Sequence, residues 1–204
     1  MVKKTLLTGL TIGMMTLGVI GDASANLIQN GGFESPVQAA GTWAIYDSID
    51  GWTPLTDVEI RNNVAGAAYE GVNYAELDTT RNMAIQQSIN TVENQEYILT
   101  FAYSPRENVP ADSNGIDVFW NGSLVTSLGL AGGTSGNLWE VYSYFVKGTG
   151  SDTLRFAAAG GSNSYGGSID AVTLNTAPVP EPATMLLFGT GLVGLAGFRR
   201  RMKK

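Results

Sequence analysis

From residue 95 to residue 175 the chain alternates apolar and polar positions in one short run after another. In QEYILTFAYS, residues Tyr97, Leu99, Phe101 and Tyr103 fall on one side, the period-two spacing of a strand with one buried face. NGIDVFW does the same with Ile116, Val118 and Trp120. Asn121 and Gly122 follow at once, before SLVTSL resumes the pattern. Both residues tolerate the positive φ of a type I′ turn, so this stretch predicts a hairpin. LWEVYSYFVK, DTLRFAAA and SIDAVTL continue the series, separated by GTGS and GGSNSYGG. Upstream, TWAIY, DVEI, NYAELD and AIQQSI are weaker strand candidates at similar spacing. No long apolar period of 3.6 residues interrupts them, so the pattern predicts an all-β sandwich or jelly roll in one domain.

The two ends follow different patterns. The opening MVKKTLLTGLTIGMMTLGVIGDASA has early lysines, an apolar run to Ile20 and small residues at Ala23 and Ala25, the layout of a secretory signal peptide ending at residue 25. At the other end, residues 183–198 form a second apolar run, followed by Arg199, Arg200, Arg201, Lys203 and Lys204. As a helix this run spans about 24 Å against a hydrocarbon core of about 30 Å. Snorkelling arginines and a thinned bilayer make up the difference. The basic tail, residues 199–204, stays cytoplasmic by the positive-inside rule and leaves the domain outside. The expected organisation is a signal peptide 1–25, a β-sandwich 26–175, a proline-punctuated linker 176–182, a transmembrane helix 183–198 and the tail.

Composition narrows the function. Without its ends the chain keeps five basic residues, Arg61, Arg81, Arg106, Lys147 and Arg155, against sixteen acidic ones, a net charge near −11. A charge of that sign repels phosphate backbones, so nucleic acid is not an expected partner. Cysteine and histidine are absent, which excludes disulfides, a Ser-His-Asp triad, a cysteine nucleophile and a histidine-ligated zinc.

Val179, Pro180, Glu181 and Pro182, then a short glycine-bearing apolar segment, then an arginine-rich end, together resemble the PEP-CTERM sorting signal. The resemblance implies that the tail holds an exported protein in the inner membrane of a Gram-negative bacterium. There an exosortase recognises the motif and cuts nearby, releasing the protein to the cell surface or the extracellular matrix. Members of that group are associated with extracellular polysaccharide and biofilm.

The start of the domain, NLIQNGGFESP, and its end, GGSIDAVTL, resemble the first and last strands of galactose-binding-like jelly rolls. GVNYAELD, LTFAYSPR, NGIDVFWNG and DTLRFAAAG resemble the group called domain of unknown function 642, whose plant members carry cysteines that this chain lacks. In such folds the first and last strands meet beside a structural calcium, and Glu34 and Asp170 are the matching positions. Calcium takes several oxygen ligands and would tie together a domain without disulfides. The alternative is that both are turn carboxylates accepting backbone N–H bonds.

Sugar binding needs flat aromatic faces and polar groups for the hydroxyls. Trp120 and Trp139 sit on apolar registers and are expected in the core. Trp52 beside Gly51, Arg106 after Pro105, and Tyr165 in GGSNSYGG lie in turn-like sequence and are the candidates for an exposed ligand face. Two acids two residues apart, Glu76 and Asp78, lie on one side of a strand about 7 Å apart, a spacing expected of a polar edge or calcium-facing rim rather than of catalysis. Ser143 and Lys147 lie about 13 Å apart on a strand, too far for activation of the hydroxyl. The expected protein is therefore a non-catalytic, exported sandwich that binds extracellular polysaccharide. A purely structural matrix protein making protein contacts is the alternative, and a glycan-active hydrolase a more distant one.

Overall fold

The computed structural model describes residues 25–178. The expected signal peptide up to residue 24, the motif at 179–182, the apolar segment 183–198 and the basic tail lie outside the described residues. Within them, eleven strands form two sheets, and no helix is long and apolar enough to cross a membrane. The six-stranded sheet runs β1 (Thr42–Tyr46), β3 (Val58–Asn62), β4 (Asn73–Glu76), β11 (Ser168–Thr176), β6 (Glu96–Ser104) and β9 (Glu140–Lys147). The five-stranded sheet runs β2 (Thr53–Pro54), β5 (Ala84–Asn90), β10 (Ser151–Ala159), β7 (Gly115–Trp120) and β8 (Ser123–Leu128). All pairings are antiparallel.

Alternation decides which side of each sheet faces inward. Tyr97, Leu99, Phe101 and Tyr103 of β6 are buried, as are Ile116, Val118 and Trp120 of β7 and Leu154 and Phe156 of β10. The two inner faces meet in one cluster, with Phe101 of one sheet edge-on to Phe156 of the other at 5.1 Å. Removing such apolar area from water at about 25 cal/mol per Å² is the main driving force for a domain without cysteine. Among the described residues the cluster runs from Ile28 to Leu174, enough buried apolar area for this segment to be expected to fold by itself.

The all-β sandwich expected from the pattern is the fold observed. Asn121 and Gly122 take φ values of 51° and 78° and close the β7–β8 hairpin, with Asn121 Oδ1 accepting from Thr153 N at 2.8 Å. The two-residue β2 leaves no periodic signal, and its Pro54 suits a sheet edge.

Two tryptophans depart from expectation. Trp52, expected on an exposed face, is 3 % exposed. Its ring stacks on Phe33 at 5.7 Å and tilts against Phe156 at 6.0 Å, and its N–H donates to the Asn30 carbonyl. The turn around Gly51 carries a side chain that closes one end of the sandwich, because a large ring gains most from burial once its N–H has an acceptor. Trp139, expected in the core, precedes β9 and is only partly buried. It lies edge-on to Tyr74 and Tyr69 and donates to the Ala67 carbonyl, covering the outer face of the six-stranded sheet.

Candidate functional site

The outer face of β1, β3 and β4 carries a cluster that strand register assembles. Thr42 to Tyr46 pair with Asn62 back to Val58, which sets Trp43 opposite Arg61 and Ile45 opposite Glu59. On the other side of β3, Glu59 lies opposite Glu76 and Arg61 opposite Tyr74. Val58 and Ile60 alternate into the core, so Glu59 and Arg61 point outward. They are nevertheless almost fully buried, because loops fold back over the sheet. Tyr74 OH donates to the Val64 carbonyl in one such loop, and the 160–167 loop closes another side.

Under those loops the charges are paired. Arg61 Nε donates to Glu59 Oε1, and its Nη1 lies 2.8 Å from Glu76 Oε2. That second contact is an ion pair without hydrogen-bond alignment, so Nη1 remains a buried donor with no acceptor. Arg106 Nη1 reaches both Glu76 oxygens at 3.0 and 3.1 Å, and Gly166 N donates to Oε1 at 3.1 Å. Burial pushes the Glu76 carboxyl up to about 7, against the pull of Arg61, Arg106 and the Gly166 N–H.

The Arg106 guanidinium also lies over the Tyr165 ring, 4.3 Å from its centre. Arg106 and Tyr165 are thus brought together, while Trp52 lies in the core. Around the ion pairs a cleft of about 390 Å³ opens, walled by Trp43, Ile45, Thr79, Thr80, Ser164 and Tyr165 over Glu59 and Arg61. Trp43 is 53 % exposed and Tyr165 49 %. The volume falls within the range of small-ligand sites, about 300–1,000 Å³.

Trp43, Glu59 and Arg61 were not singled out among the sequence candidates. Trp43 and Ile45 share a period-two register in TWAIY and Glu59 and Arg61 share one in VEIRN, but only the pairing of β1 with β3 shows that both registers face one cleft. Glu76 and Asp78 do not form the expected polar edge, since neither is exposed. Glu76 lies under the arginines, and Asp78 accepts from Ser162 Oγ and Asn163 N, anchoring the loop that carries Tyr165. A methyl on Gly166 in that loop would sit 2.6 Å from Asp78 Cβ and 3.1 Å from its backbone nitrogen. Gly166→Ala is therefore expected to lower stability by about 1–3 kcal/mol, measurable as a fall in the thermal midpoint.

Glu34 and Asp170 come together beside the start of β4, at Asn73, and near the beginning of β11. The N-terminal segment runs beside β11, with Leu27 N donating to the Leu174 carbonyl and Val172 N to the Gly31 carbonyl. A bulge in β11 between Asp170 and Thr173, with Ala171 at φ 48°, shifts the register there, a device that re-aims neighbouring side chains. One loop supplies both carboxylates with donors. Tyr69 N and Glu70 N reach Asp170 Oδ2 at 2.8 and 3.0 Å, and Val72 N and Asn73 N reach Glu34 Oε1 at 2.8 and 2.9 Å.

Both side chains approach within 3.9 Å of the point where a methyl on Gly32 would sit. Burial pushes the Asp170 carboxyl up to about 7, with the Glu34 charge adding to it and the N–H groups of Glu70, Ala171 and Tyr69 opposing. Among the described residues no three or more Asp or Glu side chains are placed to hold a metal. An ion here would have the carboxylates of Glu34 and Asp170 as ligands, with Glu70 also on the wall of the adjoining cleft. Hard oxygen donors of this kind fit calcium.

Residues 178–201 match the PEP-CTERM protein-sorting motif. The motif implies export and membrane-anchored transit before processing. No curated protein sequence matches the chain. Among solved structures, the domain resembles part of an arabinose-bound α-L-arabinofuranosidase, with TM-score 0.51 and 13 % identity, covering 76 % of this chain and 27 % of the enzyme. That likeness shows the fold. A family 35 carbohydrate-binding module from Clostridium thermocellum aligns with TM-score 0.46 and 19 % identity over 67 % of this chain and 99 % of the module. A family 16 carbohydrate-binding module aligns with TM-score 0.48 and 18 % identity over 73 % and 99 %.

Proposed function

We propose that this chain is an exported surface or matrix protein whose sandwich binds extracellular polysaccharide, without catalysis, at the cleft between Trp43 and Tyr165. One observation carries this: two exposed aromatic rings flank a cleft whose floor is an immobile set of paired arginines and glutamates. Rings of this kind cover the C–H face of a sugar, and the fixed polar groups meet its hydroxyls. Carbohydrate-binding modules among the structural neighbours bear names of the same function. The binding candidates Arg106 and Tyr165 belong to this cleft, joined by Trp43, Arg61 and Glu59; Trp52 lies in the core and takes no part in it. The C-terminal motif hands the chain to an exosortase at the inner membrane of a Gram-negative bacterium, which frees it for the surface or matrix.

Hydrolysis is disfavoured by the same geometry. Glu59 and Glu76 lie opposite one another across a strand pair, the closeness that retaining glycosidases use. Yet Glu76 is wholly enclosed and both carboxylates are committed to arginines, so neither is free to attack a sugar or protonate a leaving group. A structural role has its own support in Phe145, 71 % exposed on the edge strand β9, and light scattering of residues 26–178 decides whether copies associate through it. A calcium ion at Glu34 and Asp170 ties the N-terminal segment to the last strand.

The direct test is titration of residues 26–178 with soluble glycans. Trp43→Ala is expected to weaken the best ligand about 10- to 100-fold, with the thermal midpoint nearly unchanged because the ring is half exposed. Unaltered affinity in this variant would move binding away from the cleft, and release of reducing ends from any glycan would replace a binding protein with an enzyme.

A further inference from the structure

Each sheet of the sandwich ends in two edge strands, and an unpaired edge is a template for another chain. Three of the four edges are guarded. β2 is two residues long and contains Pro54. β8 meets β7 through an irregular register between Val118 and Phe119. β1 is crossed by Gln38, whose side-chain amide donates to Thr42 Oγ1 and accepts from Tyr46 OH.

β9 has none of these devices. Its eight residues keep an unbroken register with β6 from Glu140 to Lys147, without proline or glycine. Charge is confined to its two ends, and the residues between them, VYSYFV, carry none. Tyr142, Tyr144 and Val146 turn toward the core, while Val141 and Phe145 on the outward side are 51 % and 71 % exposed.

The sequence of β9 is complementary to itself. When two copies lie antiparallel about a twofold axis through Ser143, each Val141 falls opposite the other copy's Phe145, and each Tyr142 opposite the other's Tyr144. Residues opposite one another across such a pair share one side of the sheet. The exposed apolar side chains therefore cover one another, and the small Ser143 takes the centre. The tyrosines already stack on Phe101 at 6.0 and 6.2 Å, which holds the inner side in place for pairing.

Charge favours the same direction. Antiparallel strands set the Glu140 end of each beside the Lys147 end of the other, whereas parallel strands would bring like charges together. We propose that β9 joins two copies of this chain edge to edge, extending the six-stranded sheet across a twofold axis at Ser143. A twofold contact of this kind is closed and stops at the dimer. β9 and β1 are opposite edges of the sheet, so pairing here is independent of what the Trp43 cleft binds.

One strand pair makes a small interface, and a dissociation constant of about 1–100 µM is expected. Sedimentation of residues 26–178 should show the mass rising from monomer toward dimer between about 1 µM and about 300 µM. Both copies are acidic, so raising NaCl from about 20 mM to about 300 mM should strengthen the association.

Phe145→Lys removes the apolar contact at both ends of the pair and should weaken the dimer about tenfold or more. Its thermal midpoint should hold, because the ring is exposed. Val141→Glu should act in the same way. An equimolar mixture of the two variants should dimerise again, since only there does an introduced glutamate face an introduced lysine. Trp43→Ala, at the other edge, should associate as the parent does. A parent that stays monomeric at about 300 µM would leave β9 to another partner and overturn the pairing. A dimer that Phe145→Lys leaves intact, or that Trp43→Ala abolishes, would overturn it too by placing the contact elsewhere.

Discussion

Glu76→Ala should unfold about 10 °C or more below the parent domain. The carboxylate sits at 0 % exposure between Arg61 and Arg106 and accepts from Gly166 N. Deleting it leaves Arg61 with Glu59 as its sole partner, frees Arg106 from its anchor and opens a void beneath the 160–167 loop. Removing one partner of a buried ion pair costs about 3–5 kcal/mol, and each kcal/mol shifts the midpoint of a domain this size by about 2–4 °C. Glu76→Gln, which keeps the volume and one acceptor oxygen, should lose less than half as much. A midpoint within about 2 °C of the parent for the alanine variant would show that the ion-pair floor contributes little to stability. It would also remove the ground for treating the cleft as preformed.

Calcium should raise the midpoint at pH 8 by about 5–10 °C relative to EDTA, the effect of a ligand present at roughly 100 to 1,000 times its dissociation constant. The sign of the pH dependence gives a sharper test. Asp170 and Glu76 both have carboxyls pushed up to about 7, from 3.8 and 4.5, chiefly by burial. A group raised in the folded state contributes stability that is complete below its unfolded pKa and is lost as pH rises through its folded one. In EDTA these two groups therefore make the domain more stable near pH 5 than near pH 8.

A bound cation favours the ionised carboxylate, so calcium should restore the Asp170 share at pH 8. Near pH 5 it should do little, because a protonated carboxyl does not ligate. The Glu76 share persists with and without the metal. Asp170→Asn should abolish the calcium response. Identical melting curves in calcium and EDTA at pH 8 would leave Glu34 and Asp170 as turn carboxylates served by the 69–73 loop alone.

Local chemistry made some features legible and others not. The Asn121–Gly122 hairpin could be read directly because a type I′ turn demands positive φ at two adjacent positions and few residues accept it. The buried faces of β6 and β7 could be read because a strand that presents one side to a core must alternate. The meeting of the chain ends at Glu34 and Asp170 came through family resemblance, not through any period in the residues.

The cleft was much less visible. Arg106 and Tyr165 stood out by their turn-like surroundings, but the same argument chose Trp52 over Trp43. Both tryptophans neighbour a glycine or lie near one, and local sequence carries no record of which ring meets Phe33 and Phe156 and which remains at the rim.

By itself the chain determined its strands, its turns, the acidic charge of its domain and the sorting motif at its end, since each depends on residues close together in sequence. Tertiary structure alone decided that Glu59, on a strand pattern that alternates polar and apolar, would be buried with Arg61 rather than solvated. It also decided that Arg106 and the loop carrying Ser164 and Tyr165, the latter more than 100 residues further along the chain, would come to rest over them. The physical reason is that alternation specifies only which side of a strand faces the core. Whether the other side meets water or another part of the chain depends on pairing register and on where distant loops come to rest.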